Sequence, residues 1–298
     1  MSSPSSISFA GRPALESGSD ATVSSLTMLP SPHTTGATFL IMAFSAFPGS
    51  GVALAQDGAV SEGAVNQGMT FNLESLHPIE IEYESVADDG RRLVTTVRYT
   101  LDSASGQESL VKRRWDEEYL DWSDGYPKKT RHFKVESIAR SRDLRPVRTD
   151  IVNQYWDDAA AAWLTQRWKI VYEPGRVTRE YVGPDTTSFQ ELDLPDGILE
   201  GTMVGLAVGL LVDPPRELVV TSYDWRNNVV QAWQYDVVGR ESMVVAGREY
   251  DAVIVQTSNP ETSDVRNRVY YRANVPRVFL GVDDPESDVI VTRVREGP

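Results

Sequence analysis

The sequence predicts a mainly β protein: a large curved antiparallel sheet or half-open barrel with one buried apolar helix. Three observations lead there. Apolar and polar residues alternate with period two in run after run from Ile79 to Val294. Short Asp-, Gly- and Pro-containing turns separate the runs, too short for the crossovers that parallel pairs need. A single stretch, Gly201 to Val212, carries no charge and breaks the alternation.

The elements follow in chain order. Ile79-Glu80-Ile81-Glu82-Tyr83-Glu84 alternates apolar with acidic residues, as a half-buried strand does. Asp88-Asp89-Gly90 supplies a turn, and Leu93 to Tyr99 returns as the partner of a hairpin. Strands are then expected over Ser109–Trp115, His132–Ile138, Pro146–Tyr155, Trp163–Tyr172 and Arg176–Val182. Ala159 to Ala162 reads either as part of a turn or as a short helix. The second half repeats the style over Glu217–Tyr223, Val229–Val238, Glu241–Ala246, Arg248–Thr257, Asn267–Arg272, Val278–Asp283 and Val289–Val294. Twist accumulates in an antiparallel sheet of that size, so it curls or closes.

The helix is expected over Leu194–Val212, capped by Asp193 or Asp196 and stopped by Pro214-Pro215. A helix apolar on all sides is buried, and this one is too short for an ordinary membrane span. Glycines recur every fourth residue, at Gly197, Gly201, Gly205 and Gly209. Each costs about 0.5–1 kcal/mol relative to Ala inside a helix. Close approach to a sheet is one reason for the stripe and a movable plug over an apolar cavity is another; membrane pairing through Gly-xxx-Gly is the third, for which the run is too short.

The N-terminal segment reads as an address. Residues 1–55 form a polar leader ending in the apolar run Ala37 to Phe47, the breaker Pro48-Gly49-Ser50-Gly51, and Ala53-Leu54-Ala55. The pattern suits a signal peptide cleaved between Ala55 and Gln56, with an uncleaved anchor as the alternative. Residues 56–70 read as a polar linker and 71–298 as a single β-rich domain. The expected location is periplasmic or secreted, with no stable membrane span after cleavage.

Composition narrows the chemistry. The chain has no cysteine, which excludes disulfides, thiol nucleophiles and a lipidated cysteine after the signal. Its net charge of −14 opposes nucleic acid as a partner. The basic runs Lys112-Arg113-Arg114 and Lys128-Lys129-Thr130-Arg131 read as solvated strand faces or turns. Two histidines beyond the leader, His77 and His132, do not suggest a metal site, and no hydrolase or phosphate-loop motif occurs. The acidic run Asp283 to Asp288 lacks the spacing and glycine of a calcium loop. No cofactor, metal or catalytic residue is singled out.

The last sixty or so residues add a resemblance. Val244-Val245-Ala246-Gly247-Arg248-Glu249-Tyr250-Asp251-Ala252-Val253-Ile254-Val255, then Arg268-Val269-Tyr270-Tyr271-Arg272, then Val275-Pro276-Arg277-Val278-Phe279-Leu280-Gly281-Val282 resembles the end of DUF3108-like exported proteins. The resemblance implies a curved sheet of the lipoprotein-carrier type with an inner apolar surface, and it brings no catalytic residues. The Trp-rich first half and the glycine-striped helix depart from it.

These readings favour a non-enzymatic protein that binds a hydrophobic, lipid-like ligand or an envelope partner. Met203, Leu206 and Leu210 on the helix, with Trp168 and Trp233 on strands, are the candidate ligand contacts. An exported hydrolase using paired carboxylates and a purely structural interaction module are the alternatives.

Overall fold

The computed structural model describes residues 66, 69, 71–72, 76–86, 92–102, 109–121, 128–211, 217–274, 277–284 and 287–296. The proposed signal segment, the Ala55–Gln56 cleavage site and Pro214-Pro215 lie outside these residues. All described residues belong to one compact unit.

Among them, fifteen strands form one sheet: β1 (Ile79–Val86), β2 (Arg92–Asp102), β3 (Leu110–Asp121), β4 (Lys128–Arg140), β5 (Pro146–Asp157), β6 (Ala162–Glu173), β7 (Arg176–Val182), β8 (Thr187–Asp193), β9 (Leu199–Glu200), β10 (Glu217–Asp224), β11 (Val229–Val245), β12 (Arg248–Ser258), β13 (Val265–Arg272), β14 (Phe279–Asp284) and β15 (Ser287–Glu296). A helix α1 (Val204–Leu210) follows β9 after a single 3-10 turn at Gly201–Met203. The order across the sheet is β8 back to β1, then β15 back to β9, so sequence neighbours pair throughout except β8 and β9, which stand at opposite ends, and β1 pairs with β15. All pairings are antiparallel except the short β9–β10 contact, Leu199–Glu200 against Ser222–Tyr223. The expected curved antiparallel sheet with one buried apolar helix is what forms.

Alternation sets the inner face. One rung crosses six strands, Tyr83–Thr95–Glu117–Phe133–Asn153–Gln166. The next carries Ile81, Val97, Trp115, Val135, Ile151 and Trp168. Residues on the alternate rungs, such as Arg98, Arg114 and Lys134, face outward and carry ion pairs with Glu80 and Asp116. Such exposed pairs contribute little to stability.

The sheet rolls over on itself. From Val220 onward β10 is buried on both faces, with Val220, Ser222 and Asp224 on one side and Thr221, Tyr223 and Trp225 continuing on the other. Tyr223 meets Tyr172 of β6 edge-on at 6.0 Å. Trp225 lies 6.1 Å from Phe133 of β4 and 6.1 Å from Trp168 of β6. The β9–β10 end therefore lies against the inner face of β4–β6.

The two sheet ends differ. Beside β9, Asn66 behaves like a piece of backbone: its Nδ2 donates to Thr221 O (2.7 Å) and Gly197 O (3.0 Å), and its Oδ1 accepts from Thr221 N (2.8 Å). At the other end, β8 is exposed along nearly its whole length.

Three expectations are corrected. The helix runs over Val204–Leu210 rather than Leu194–Val212, and neither Asp193 nor Asp196 caps it. Gly197, with φ +81°, sits in a turn instead, and Leu199–Glu200 are drawn into the sheet. Second, β8 had no counterpart in the sequence reading. Third, Val229–Val245 is one strand, bulged between Val237 and Gly239, where two were expected. Ala159–Ala161 lie in the β5–β6 turn, with Ala161 at φ +48°, and form no helix.

Candidate functional site

Two groups of buried residues stand out on the inner side of the sheet: the surroundings of α1, and a set of charged side chains on β3, β4 and β10.

The entry to α1 is held by polar contacts. Glu200 Oε2 accepts from Thr202 N (3.0 Å) and from the Thr202 hydroxyl. Thr202 Oγ1 lies 2.8 Å from Ser137 Oγ on β4, and Thr149 of β5 donates to Ser137 at 3.3 Å. Burial raises the pKa of the Glu200 carboxyl, and the two Thr202 hydrogen bonds pull it down.

The exit is tied by two distant segments. Gly209 O accepts from Arg277 N (3.0 Å), Leu210 O from Asn72 N (2.7 Å), and Leu211 O from Arg277 Nη1 (2.5 Å). The last carbonyls of a helix have no partner within it, so these donors hold its end in place. Gly209 is required by the same contact, because a Cβ there would lie 2.6 Å from Arg277 O. Close approach therefore explains this glycine.

Beside α1 lies an apolar cleft lined by Val208, Leu211, Tyr235, Val253, Val255 and Tyr271, with Arg277 at one side. Its volume is about 20 Å³, the space of a single water. Met203 and Leu210 are fully buried and Leu206 nearly so, all packed into the core around it. Trp168 lies on β6 between the tilted rings of Tyr181 at 5.0 Å and Trp225 at 6.1 Å. Trp233, on β11, is buried with the Arg266 guanidinium 5.4 Å from its ring. None of these five residues lines the cleft.

The charged group was not anticipated. On β3 the alternation turns Val111, Arg113, Trp115 and Glu117 inward, all with no exposed surface. The solvated reading of the basic run thus fails at Arg113, whose guanidinium lies 4.7 Å over the Trp115 ring. In the second run Arg131 turns inward as well, against the Tyr119 and Phe133 rings. Arg131 Nε donates to Asn153 Oδ1 (2.7 Å), and Asn153 Nδ2 donates to Gln166 Oε1 (2.8 Å). Tyr119 OH donates to Glu117 Oε2 at 3.2 Å. The Arg226 guanidinium lies 4.9 Å over Trp225. Asp224 accepts from Arg226 N (2.9 Å) and Asn227 Nδ2 (2.7 Å).

Burial pushes the Glu117 carboxyl up to about 7, against the pull of Arg226 and Arg131. Burial likewise lowers the pKa of Arg226. A carboxyl tuned to neutrality exchanges its proton in the range where most carboxyls are fully ionised. The sequence held one signal of this: Val111-x-Arg113-x-Trp115-x-Glu117 places both charges in phase with the apolar face.

Among the described residues, no group of three or more His, Cys, Asp or Glu residues is placed to hold a metal ion. A separate recess of about 100 Å³ lies between the β4–β5 turn and residues 194–198, bordered by Arg140, Arg145, Tyr172 and Asp196.

No family model matches the chain, the DUF3108-like one included, and no curated protein matches it. Among solved structures, the chain is similar to the crystal structure of a β-barrel-like protein of a domain of unknown function, DUF1849, from Brucella abortus, at 11% identity and a TM-score of 0.47, over 74% of this chain and 98% of that one.

Proposed function

We propose that this is an exported, non-enzymatic binding protein that takes a hydrophobic, lipid-like molecule beside α1. The observation that carries the reading is the apolar cleft between α1 and the inner face of β10–β13. Its lining is almost wholly aliphatic and aromatic, with the cationic Arg277 at one side. At about 20 Å³ the cleft admits no lipid while α1 is seated; pockets for small molecules run to several hundred Å³. Binding therefore requires α1, held at its exit by Arg277 and Asn72, to shift. The buried carboxylates Glu200 and Asp224 are engaged in holding turns, which favours binding over hydrolysis.

Native mass spectrometry of the protein purified from its own envelope tests this reading. A co-purifying lipid, and a rise in melting temperature when that lipid is added back, is the expected result. A protein that carries nothing and gains no stability from phospholipid, free fatty acid or acylated peptide refutes it.

A further inference from the structure

We propose that β8 is a self-association edge through which two copies of this chain join their sheets, antiparallel, across a two-fold axis at Phe189.

The argument starts from the hydrogen bonds of the β7–β8 hairpin. Gly183 N donates to Thr186 O at 2.8 Å, and Leu194 N donates to Gly175 O at 2.9 Å. Both bonds have the same parity in the β7–β8 register. Antiparallel strands alternate bonded and non-bonded pairs. Ser188, Gln190 and Leu192 therefore spend their backbone groups on β7, while Thr187, Phe189 and Glu191 direct theirs to the open side.

An open edge of this kind is normally blunted by proline, charged side chains, a bulge or a covering segment. Strand β8, Thr-Ser-Phe-Gln-Glu-Leu-Asp, has no proline, lysine or register shift, and its charges, Glu191 and Asp193, are confined to its C-terminal end. The opposite end of the sheet is closed by the Asn66 side chain on Thr221. Phe189 is 63% exposed on the outer face of β8, and Val182 of β7, on the same face, is 41% exposed.

The occupant is read from the strand itself. Centring two antiparallel copies on Phe189 puts Phe189 opposite its own counterpart, Thr187 opposite Glu191, and Ser188 opposite Gln190. Like charges meet only at the two ends, where Asp193 falls opposite Asp185 of the other copy. The aromatic pair is a favoured cross-strand combination, and the inner-face pair is polar on both sides. An isologous contact needs only this self-complementarity. The two chains repel each other through a net charge of −14 each, so association strengthens as salt screens that field.

The absence of cysteine makes the register directly testable. Directly opposite bonded residues have Cα atoms about 5.5 Å apart, within the span of a disulfide. The full chain carrying Phe189→Cys is treated with oxidised glutathione beside a Val265→Cys control, whose site is 55% exposed on β13. The expected result is a disulfide-linked dimer at position 189 and little at 265. Sedimentation velocity of the unmodified chain shows a concentration-dependent dimer. Glu191→Pro, which removes an edge N–H that β7 does not use, weakens that dimer about tenfold or more with an unchanged circular dichroism spectrum. A chain that stays monomeric at high protein and salt concentration overturns the proposal. So does cross-linking at 189 no faster than at 265, or a Glu191→Pro dimer as tight as the parent.

Discussion

Replacing Glu117 with Gln removes the pH dependence that its burial builds into the fold. The carboxyl moves from 4.5 to about 7 on folding, with burial the largest cause. One pKa unit corresponds to about 1.4 kcal/mol. The folded state holds this proton more tightly than the unfolded chain does. The contribution to stability is therefore complete below the unfolded value and is lost as pH rises through about 7. Across that window the parent loses about 3 kcal/mol that the Gln variant keeps. Glu200 and Asp224 are also raised, but they are common to both proteins and cancel in the difference. Urea unfolding of both proteins at steps from about pH 5 to pH 8 reads the effect. The stability gap should move in favour of Glu117→Gln by about 2–3 kcal/mol as pH rises. Parallel profiles would refute the reasoning. A gap that opens the other way would show that Arg226 and Arg131 outweigh burial and hold Glu117 ionised.

Two further perturbations test the packing around α1 and β10. Gly209→Ala puts a methyl 2.6 Å from the Arg277 carbonyl, so it should destabilise by about 1–3 kcal/mol in urea unfolding, although Ala is the better helix former; a stabilised variant would mean that the Arg277 segment yields freely. Asn66→Ala strips three hydrogen bonds from Thr221 and Gly197 and should cost about 2 kcal/mol, with faster proteolysis near the N-terminal end of the domain. Unchanged stability there would show that Asn66 is a bystander at the sheet end.

Most of the sheet was readable because period-two alternation records a one-sided burial, and β7 came out at Arg176–Val182 in both readings. Where the burial is not one-sided, the signal fails. Strand β8 is exposed on both faces, so nothing in its side chains alternates, and only backbone bonds to β7 make it a strand. In the apolar run after Leu194 the composition could not say where sheet ended and helix began. There Gly197 takes a positive φ, and Glu200 supplies the cap from a position read as helix interior. The five ligand contacts expected from the sequence rest on size and apolarity, properties that a core shares with a cleft. Arg113 reads as solvated by its charge, although its phase, like that of Glu117, matches the buried face of β3.

The pairing of β1 with β15 has a consequence for how the molecule comes into being. Among the described strands, the first to leave the ribosome finds one of its two neighbours only when the last is made, with more than 200 residues between Ile79 and Glu296. Until then a growing meander displays the bare flank of β1 to every other nascent chain. Long-range closure of this kind slows folding and leaves partly formed sheets open to wrong pairing. A holdase that shields extended chain until synthesis is finished would raise the yield of this protein more than one acting on the completed fold.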